Sequence, residues 1–461
     1  MSLAAELARI VGAEHVLAPV GASSPYNTDI SGAWRGLTGR ADAVVKPASA
    51  EQVAALMAWL YPRGIPLVPR GGGSGVSGGA CPTEGGVVCS LERMRGVLEL
   101  APELWRMHVE AGLSTANVHR LAFENGVRFP PDPGASEQSQ IGGNVATNAG
   151  GPHAFKYGPT GCWVSGLEAV IPPGELVRLG GASKKDVAGY DLKRLLIGSE
   201  GTLGVITSVQ LRLIPALSEA VAVVAFAPSR QAGCEAILAS LSCTLQPSAI
   251  EFIEGPALGE VAGAYRGSGP AEGEFAVICE LEGSCGEAKA GAAELVATLG
   301  EGAIRVDLHE DVRPLWRWRE GVSGAVAAIA GGKVSEDVAV PVERLQSLLD
   351  GFQQIAAGQG LRSCAWGHGG DGNAHATLLV NPNDQTAAAA AERATEGLLE
   401  LALDLGGTVS GEHGVGYVKQ HALPASLGAG MRLHEAVKQA FDPQGLINPG
   451  KKGGRQRNAQ G

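Results

Sequence analysis

No two cysteines of this sequence stand at CxxC spacing. None of the eight (Cys81, Cys89, Cys162, Cys234, Cys243, Cys279, Cys285 and Cys364) has zinc-finger or ferredoxin spacing. An iron–sulfur cluster built from this chain's own thiols is thereby excluded. No run approaches the ~18 apolar residues of a spanning helix. The first residues also lack an uninterrupted apolar core, because Glu6 and Arg9 break it. They read as an amphipathic helix and not a signal peptide, so the expected setting is cytoplasmic and reducing. Basic residues are in deficit, 36 against 47 acidic, for a formal charge of −11. Nucleic acid and anionic lipid are therefore not expected as partners. The basic end, Lys451, Lys452, Arg455 and Arg457, is short and is expected to fray. Glycine is abundant, 68 residues, but without a Gly-X-Y period, which excludes collagen.

What is present is a globular composition, 45% hydrophobic and 18% charged, over 461 residues, enough for two domains. The glycines cluster at 71–79, 142–151, 198–204, 367–372 and 406–416. Such clusters mark tight turns or close backbone approach to a ligand. Helices are expected at 3–12, 50–62 and 114–125, the last capped by Ser114, and strands at 43–46, 65–69, 86–91, 105–110, 164–171 and 203–213. The stretch 131–151, rich in Pro, Gly, Asn and Ser, reads as a functional loop too long for a simple connection. After Pro215 the pattern becomes an α+β unit: strand 219–226, helix 229–241, strand 274–281, helix 286–299. A hairpin at 361–381, a helix at 385–405 ended by Gly406 and Gly407, a glycine loop at 408–416 and a helix at 431–441 follow. The expected domains are an N-terminal helical segment 1–36, a binding domain 37–215, a C-terminal substrate domain 216–455 and a disordered tail 456–461.

Gly73, Gly75 and Gly78 fit GxGxxG by letter, but the Rossmann version needs a helix to open directly after it. Here VSGGACPTEGG and a strand follow instead. Two readings stay open: a glycine-rich turn without a ligand, or a strand–loop–strand nest. In the second, the amides of Gly71, Gly72, Gly73, Ser74 and Gly75 line an anionic group. The loops at 131–151 and 198–206 supply two more small-residue walls, which argues for a large phosphate-bearing ligand.

In the C-terminal half, His368 and His375 flank a tight GGDGN turn and come together across a hairpin. They are either structural histidines or metal ligands. Glu412 and His413 adjoin in a second glycine loop, and His, His and Glu with an open position suit a catalytic divalent metal. Alternation puts His375 and Thr377 on one strand face. Arg319, in WRWRE, has the fork that grips a carboxylate bidentately, or else lies on a solvated helix face as Arg317 does.

Several runs carry a resemblance: PRGGGSG at 69–75, PDPGASEQSQIGGNVATNAGG at 131–151, GSEGTLGVIT at 198–207, WRWRE at 316–320, GHGGDGNAH at 367–375, SGEHGVG at 410–416 and DPQGLINPGK at 442–451. In order and spacing they resemble FAD-linked oxidases of the vanillyl-alcohol oxidase and p-cresol methylhydroxylase type. Within it they resemble the branch of the glycolate oxidase FAD subunit, D-lactate dehydrogenase and D-2-hydroxyglutarate dehydrogenase, over about 26–452. The resemblance implies an α+β fold with a two-part FAD-binding domain. An α+β substrate domain with a ferredoxin-like sheet and helices follows, and the C-terminal segment returns to the flavin. FAD, lying between the domains, would contact Pro69, Arg70, Gly71, Gly72, Gly73, Ser74 and Gly75 through its diphosphate. Further contacts would come from Asp132, Gly134, Gly142, Gly143, Asn144, Glu200, Gly204 and Ile206, with Asn448 near the isoalloxazine. Some relatives attach the flavin covalently to a histidine in the first glycine loop; this loop has none, so FAD is expected non-covalent.

The resemblance also implies roles for the second half. His368, His375 and Glu412 would hold zinc or a similar divalent ion. His413 would take the hydroxyl proton of a D-2-hydroxy acid (D-lactate, glycolate or D-2-hydroxyglutarate type) while hydride passes to flavin N5. Arg319 would hold the substrate carboxylate, with Ser323, Lys333 and Thr377 lining the same pocket. Relatives that act on D-2-hydroxyglutarate tend to have asparagine at the position of Thr377, which departs from their pattern. The alternatives are an alkyl-glycerone-phosphate synthase-like enzyme, a non-catalytic flavoprotein subunit of an oxidase complex, and a nicotinamide-dependent reductase, for which no second dinucleotide motif is visible. Reduced flavin would pass electrons to a quinone or to a protein: an iron–sulfur subunit, a cytochrome or an electron-transfer flavoprotein. A homodimer and peripheral membrane association stay open.

Overall fold

A computed structural model of the chain describes residues 2–284, 286–381 and 384–454; Cys285 and the tail from Arg455 lie outside them. By packing, the chain divides into two units. The first holds Met1–Gly151, Pro159–Ala216 and Glu412–Gly461, the second Pro152–Gly158 and Leu217–Gly411. The fold class is mixed α and β. Among the described residues no helix is long and apolar enough to cross a membrane.

The first unit has a small sheet in the strand order Val16–Leu17, Ala43–Val45, Val87–Ser90, Leu67–Arg70. Its last three strands run parallel. Helix Ala50–Leu60 starts on an S-x-x-Q pattern: Ser49 Oγ accepts from Gln52 N at 3.3 Å, and Gln52 Oε1 accepts from Ala48 N at 2.7 Å. A five-stranded antiparallel sheet follows the order Val97–Ala101, Arg106–Glu110, Val205–Arg212, Val164–Ile171, Glu175–Gly180. One apolar core, with Leu56, Met57, Val87, Met107, Phe129, Ile141 and Val209, serves both sheets. Ser114 caps helix Thr115–Glu124 as the sequence predicts, accepting from Asn117 N.

Two expectations are corrected here. The stretch 131–151 is not loop throughout, because Ile141–Thr147 is helical. Its glycines lower helix propensity, yet Gly142 is required where it stands: a Cβ there would lie 2.5 Å from that of Ala111. The basic end does not fray as far as it is described. Lys451 is 1% exposed and donates to Asn448 Oδ1 at 2.8 Å, and Lys452 Nζ meets Glu200 Oε1 at 2.9 Å. Net charge at a chain end says nothing about internal carbonyls and carboxylates that can receive it.

The second unit is built on a seven-stranded antiparallel sheet. Its order is Arg305–His309, Glu219–Ala227, Phe275–Gly283, Ala249–Glu254, Arg362–His368, Asn373–Leu379, Lys333–Ala339. Helices Arg230–Ser240 and Glu287–Gly300 cover one face so closely that a Cβ at Gly233 would strike the Phe275 ring. On the other face Ala222, Val224, Ile253, Ile278 and Trp366 pack with Leu258, Leu315, Trp318 and Val326 of helices Gly255–Val261, Arg313–Glu320 and Val322–Ile329. With both faces covered, strands such as Ala249–Glu254 are buried at every position.

Candidate functional site

In the first unit the glycine loop joins two adjacent parallel strands, Leu67–Arg70 and Val87–Ser90, with no helix between them. The nest reading of the sequence required that connection. Packing fixes the loop's shape. Gly73 has φ +70°, and a Cβ there would collide with the Arg70 guanidinium. A Cβ at Gly72 would lie 1.9 Å from the Gln138 carbonyl oxygen, and Gln138 Nε2 donates back to Gly72 O at 3.1 Å. Arg70, expected at the ligand, donates to Thr28 O (2.6 Å) and Pro25 O (2.9 Å), which pins the segment before the loop. Burial lowers its pKa.

Around this loop the other expected residues gather. Gly71 lies beside the Cα of Gly143, and a Cβ at Gly143 or Gly134 would meet nothing within 4 Å. Asn144 Nδ2 donates to Thr115 Oγ1 at 2.6 Å. Gly204 sits under the Val170 carbonyl, and Ile206 opens a bulge opposite Ala169. Asp132 supports the same wall through its carbonyl beside Gly151. Asn448, at φ 47°, donates to Gly79 O and Glu200 O, both at 2.9 Å. Pro69 adjoins Gly201, and Ser74 lies within the loop. The Glu200 carboxylate accepts from Val415 N (3.0 Å) and Gly416 N (2.6 Å), so it shapes the SGEHGVG loop. Burial brings Lys451 down to about 8. Three buried polar atoms here, Asp29 Oδ2, Gln140 Oε1 and Ser199 Oγ, have no hydrogen-bond partner among the described residues. Open glycine surface beside orphaned polar atoms fits a large polar ligand such as a dinucleotide.

The SGEHGVG loop places Glu412 against Gly150, where a Cβ would come within 2.8 Å of Glu412 Oε2. His413 keeps a partly exposed ring, its Nε2 3.7 Å from Glu412 Oε1, while Ser77 Oγ donates to its carbonyl.

In the second unit the expected residues share one sheet face. Strand register sets Glu251 opposite His368, His368 opposite Asn373, His375 between Trp366 and Asp337, and Thr377 between Cys364 and Ser335. Directly paired residues point the same way, so all of these share the sheet face that carries Ile253 and Trp366. The His368 and His375 rings stand 5.3 Å apart, edge to face. His368 Nδ1 lies 2.5 Å from Glu251 Oε1, and Arg319 Nη2 lies 2.6 Å from Glu251 Oε2. Arg319 is therefore not on a solvated helix face: it is 8% exposed, and its buried Nε has no hydrogen-bond partner among the described residues. Asp337 accepts from Asn373 Nδ2 (2.7 Å) and Ser410 Oγ (3.0 Å), with His375 Nδ1 at 4.0 Å. Lys333 Nζ donates to Ser323 Oγ (2.5 Å) and lies over the Trp366 ring; burial pushes its ammonium down to about 8. Thr377 Oγ1 shares a 2.8 Å hydrogen bond with Ser335 Oγ. Farther along the same face, His153 Nε2 meets Glu280 Oε1 at 2.8 Å, and Tyr157 donates to Glu282.

Sequence reasoning missed Glu251, Asp337, Ser335 and Trp366. For Glu251 a signal existed: a carboxylate alternating with isoleucine and phenylalanine in IEFIE. Alternation alone would have read it as solvent-facing.

Comparison with known proteins follows these two halves. Residues 41–180 match the FAD binding domain model, and residues 217–452 match the model of FAD linked oxidases, C-terminal domain. The chain is 33% identical to glycolate oxidase subunit GlcD of Bacillus subtilis (89% of this chain, 88% of that protein). It is 35% identical to D-lactate dehydrogenase of Archaeoglobus fulgidus (88% and 90%). It is 33% identical to D-2-hydroxyglutarate dehydrogenase of Xanthomonas citri pv. viticola (89% and 88%). Its fold is similar to p-cresol methylhydroxylase with substrate bound, at TM-score 0.80 and 17% identity over 98% of this chain and 96% of that one. It is similar also to alkyldihydroxyacetonephosphate synthase, at 0.69 and 20% over 89% and 77%. At such identity these two likenesses concern the fold alone.

Proposed function

The chain belongs to the FAD-linked oxidases, in the branch of the glycolate oxidase FAD subunit, D-lactate dehydrogenase and D-2-hydroxyglutarate dehydrogenase, and from that premise we propose that it oxidises a small D-2-hydroxy acid to the 2-oxo acid. One observation carries the substrate class. A buried arginine with an orphaned Nε and a buried histidine are held by the same carboxylate, Glu251. An arginine fork suits a carboxylate, and an imidazole suits an ion that binds a neighbouring hydroxyl. A 2-hydroxy acid presents those two groups on adjacent carbons.

In this reading the loop 70–75, with Pro69, Asp132, Gly134, Gly142, Gly143, Asn144, Glu200, Gly204, Ile206 and Asn448, holds FAD without a covalent bond. FAD, when bound, supplies the two-electron acceptor. His368 and His375, with Glu412, hold a divalent ion of the zinc type, which supplies Lewis acidity that eases loss of the hydroxyl proton. Gly411 and Ser410, which lead the chain to Glu412, are seated on Asn373 and Asp337. Arg319 orients the substrate by its carboxylate, supported by Lys333, Ser323 and Thr377. His413 removes the hydroxyl proton, a task suited to an imidazole at neutral pH. One proton and the α-hydrogen with its electron pair leave the substrate, which balances conversion to the 2-oxo acid. The electrons then pass to a quinone or a partner protein.

Chelation tests the ion. Dialysis against a strong chelator should reduce turnover at least tenfold while the flavin spectrum persists, and zinc or cobalt should restore it. Undiminished turnover in protein shown to be metal-free would remove the ion from the mechanism.

A further inference from the structure

We infer that Glu251 is a positioning residue that ties the metal-ligand histidine and the carboxylate-binding arginine into one rigid group. The inference rests on the reading above, in which His368 holds the ion and Arg319 the substrate. Glu251 is fully buried in strand Ala249–Glu254, among Ile250, Phe252 and Ile253. A carboxylate in such a place needs a donor or an opposite charge at each oxygen. Oε1 accepts from His368 Nδ1 at 2.5 Å, and Oε2 forms an ion pair with Arg319 Nη2 at 2.6 Å, outside hydrogen-bond geometry.

Each contact has a consequence. With Nδ1–H donating to Glu251, the His368 tautomer is fixed and Nε2 carries the lone pair that an ion would take. With Nη2 paired to Oε2 the guanidinium is held beside Glu251, and its buried Nε, which has no hydrogen-bond partner among the described residues, is a donor available to an incoming anion. Because the two contacts use opposite oxygens of one planar group, neither partner can shift without tilting the other. Beside His375, Asp337 accepts from Asn373 Nδ2 and Ser410 Oγ, with His375 Nδ1 at 4.0 Å. No arginine is among these three partners.

Glu251→Gln tests this with two readouts on the full-length flavoprotein. The amide keeps the shape, but it has one acceptor oxygen for two donors and turns an NH2 toward the other. Cobalt affinity, followed by visible absorption of chelator-treated protein, should fall about 10–100-fold, the usual effect of losing a carboxylate behind a ligating histidine. KM for the hydroxy acid, measured at saturating cobalt, should rise at least tenfold while kcat falls less. Glu251→Asp, which keeps the charge but shortens the reach, serves if the glutamine variant fails to fold, with the same paired loss expected. A change in only one readout, or in neither, overturns the bridging role. Wild-type protein that takes up no cobalt overturns the metal reading and this inference together, whereas normal uptake by wild type with unchanged uptake by the variant overturns this inference alone.

Discussion

At the glycine clusters of the first unit, an added methyl group at Gly72 would meet a backbone carbonyl at 1.9 Å, and one at Gly143 would meet open space. In the second unit the corresponding ground is filled with charge: Glu251, Arg319, His368, His375, Asp337 and Lys333 are all buried on one face of a sheet. The first region offers backbone and absence of side chains; the second offers side chains held by other side chains. The difference follows from the ligands proposed for each. A dinucleotide needs length and close approach, which glycine gives. A small acid has few atoms, so each must meet a strong, oriented group.

His413 gives this comparison its sharpest test, because it belongs to the first unit and is assigned the proton transfer. His413→Ala should lower kcat roughly 10³- to 10⁴-fold and leave the flavin spectrum intact. Turnover within tenfold of wild type would mean that His413 is not the base. Arg319→Lys keeps the charge and loses the fork. It should raise KM for the acid by about 10–100-fold, of the order of 1.5–3 kcal/mol for a charged hydrogen bond, with kcat changed less. An unchanged KM would place the carboxylate elsewhere. The smallest effect concerns Gly143, inside helix Ile141–Thr147. Alanine there should stabilise the flavin-free protein by about 0.5–1 kcal/mol and yet weaken FAD binding measurably. Stabilisation with unaltered FAD affinity would show that the open surface at Gly143 is not part of the cradle.

The same contrast explains how much could be read from the sequence. Glycine and its neighbours announce backbone function locally, so the loops at 71–79 and 408–416 were legible, as was the absence of a helix after Gly78. Capping residues such as Ser114 fixed helix starts. The buried-charge face was legible only in part. His368, His375 and Arg319 stood out through their motifs. Glu251, from a strand more than a hundred residues away in the chain, reaches His368 only through sheet register. Both faces of that strand are covered, so no alternation marks which one is polar. Lys451 shows the complementary limit: a lysine near the chain end looked frayed, but the Asn448 amide draws it into the interior.

The central claim is most directly tested by the visible spectrum of the purified protein, recorded without oxygen as D-lactate, D-2-hydroxyglutarate, glycolate and L-lactate are added in turn. A yellow protein bleached by a D-2-hydroxy acid or glycolate, and not by L-lactate, is the expected result. A yellow protein that none of them bleaches would contradict the substrate class, and a protein that neither contains nor takes up FAD would contradict the account at its base.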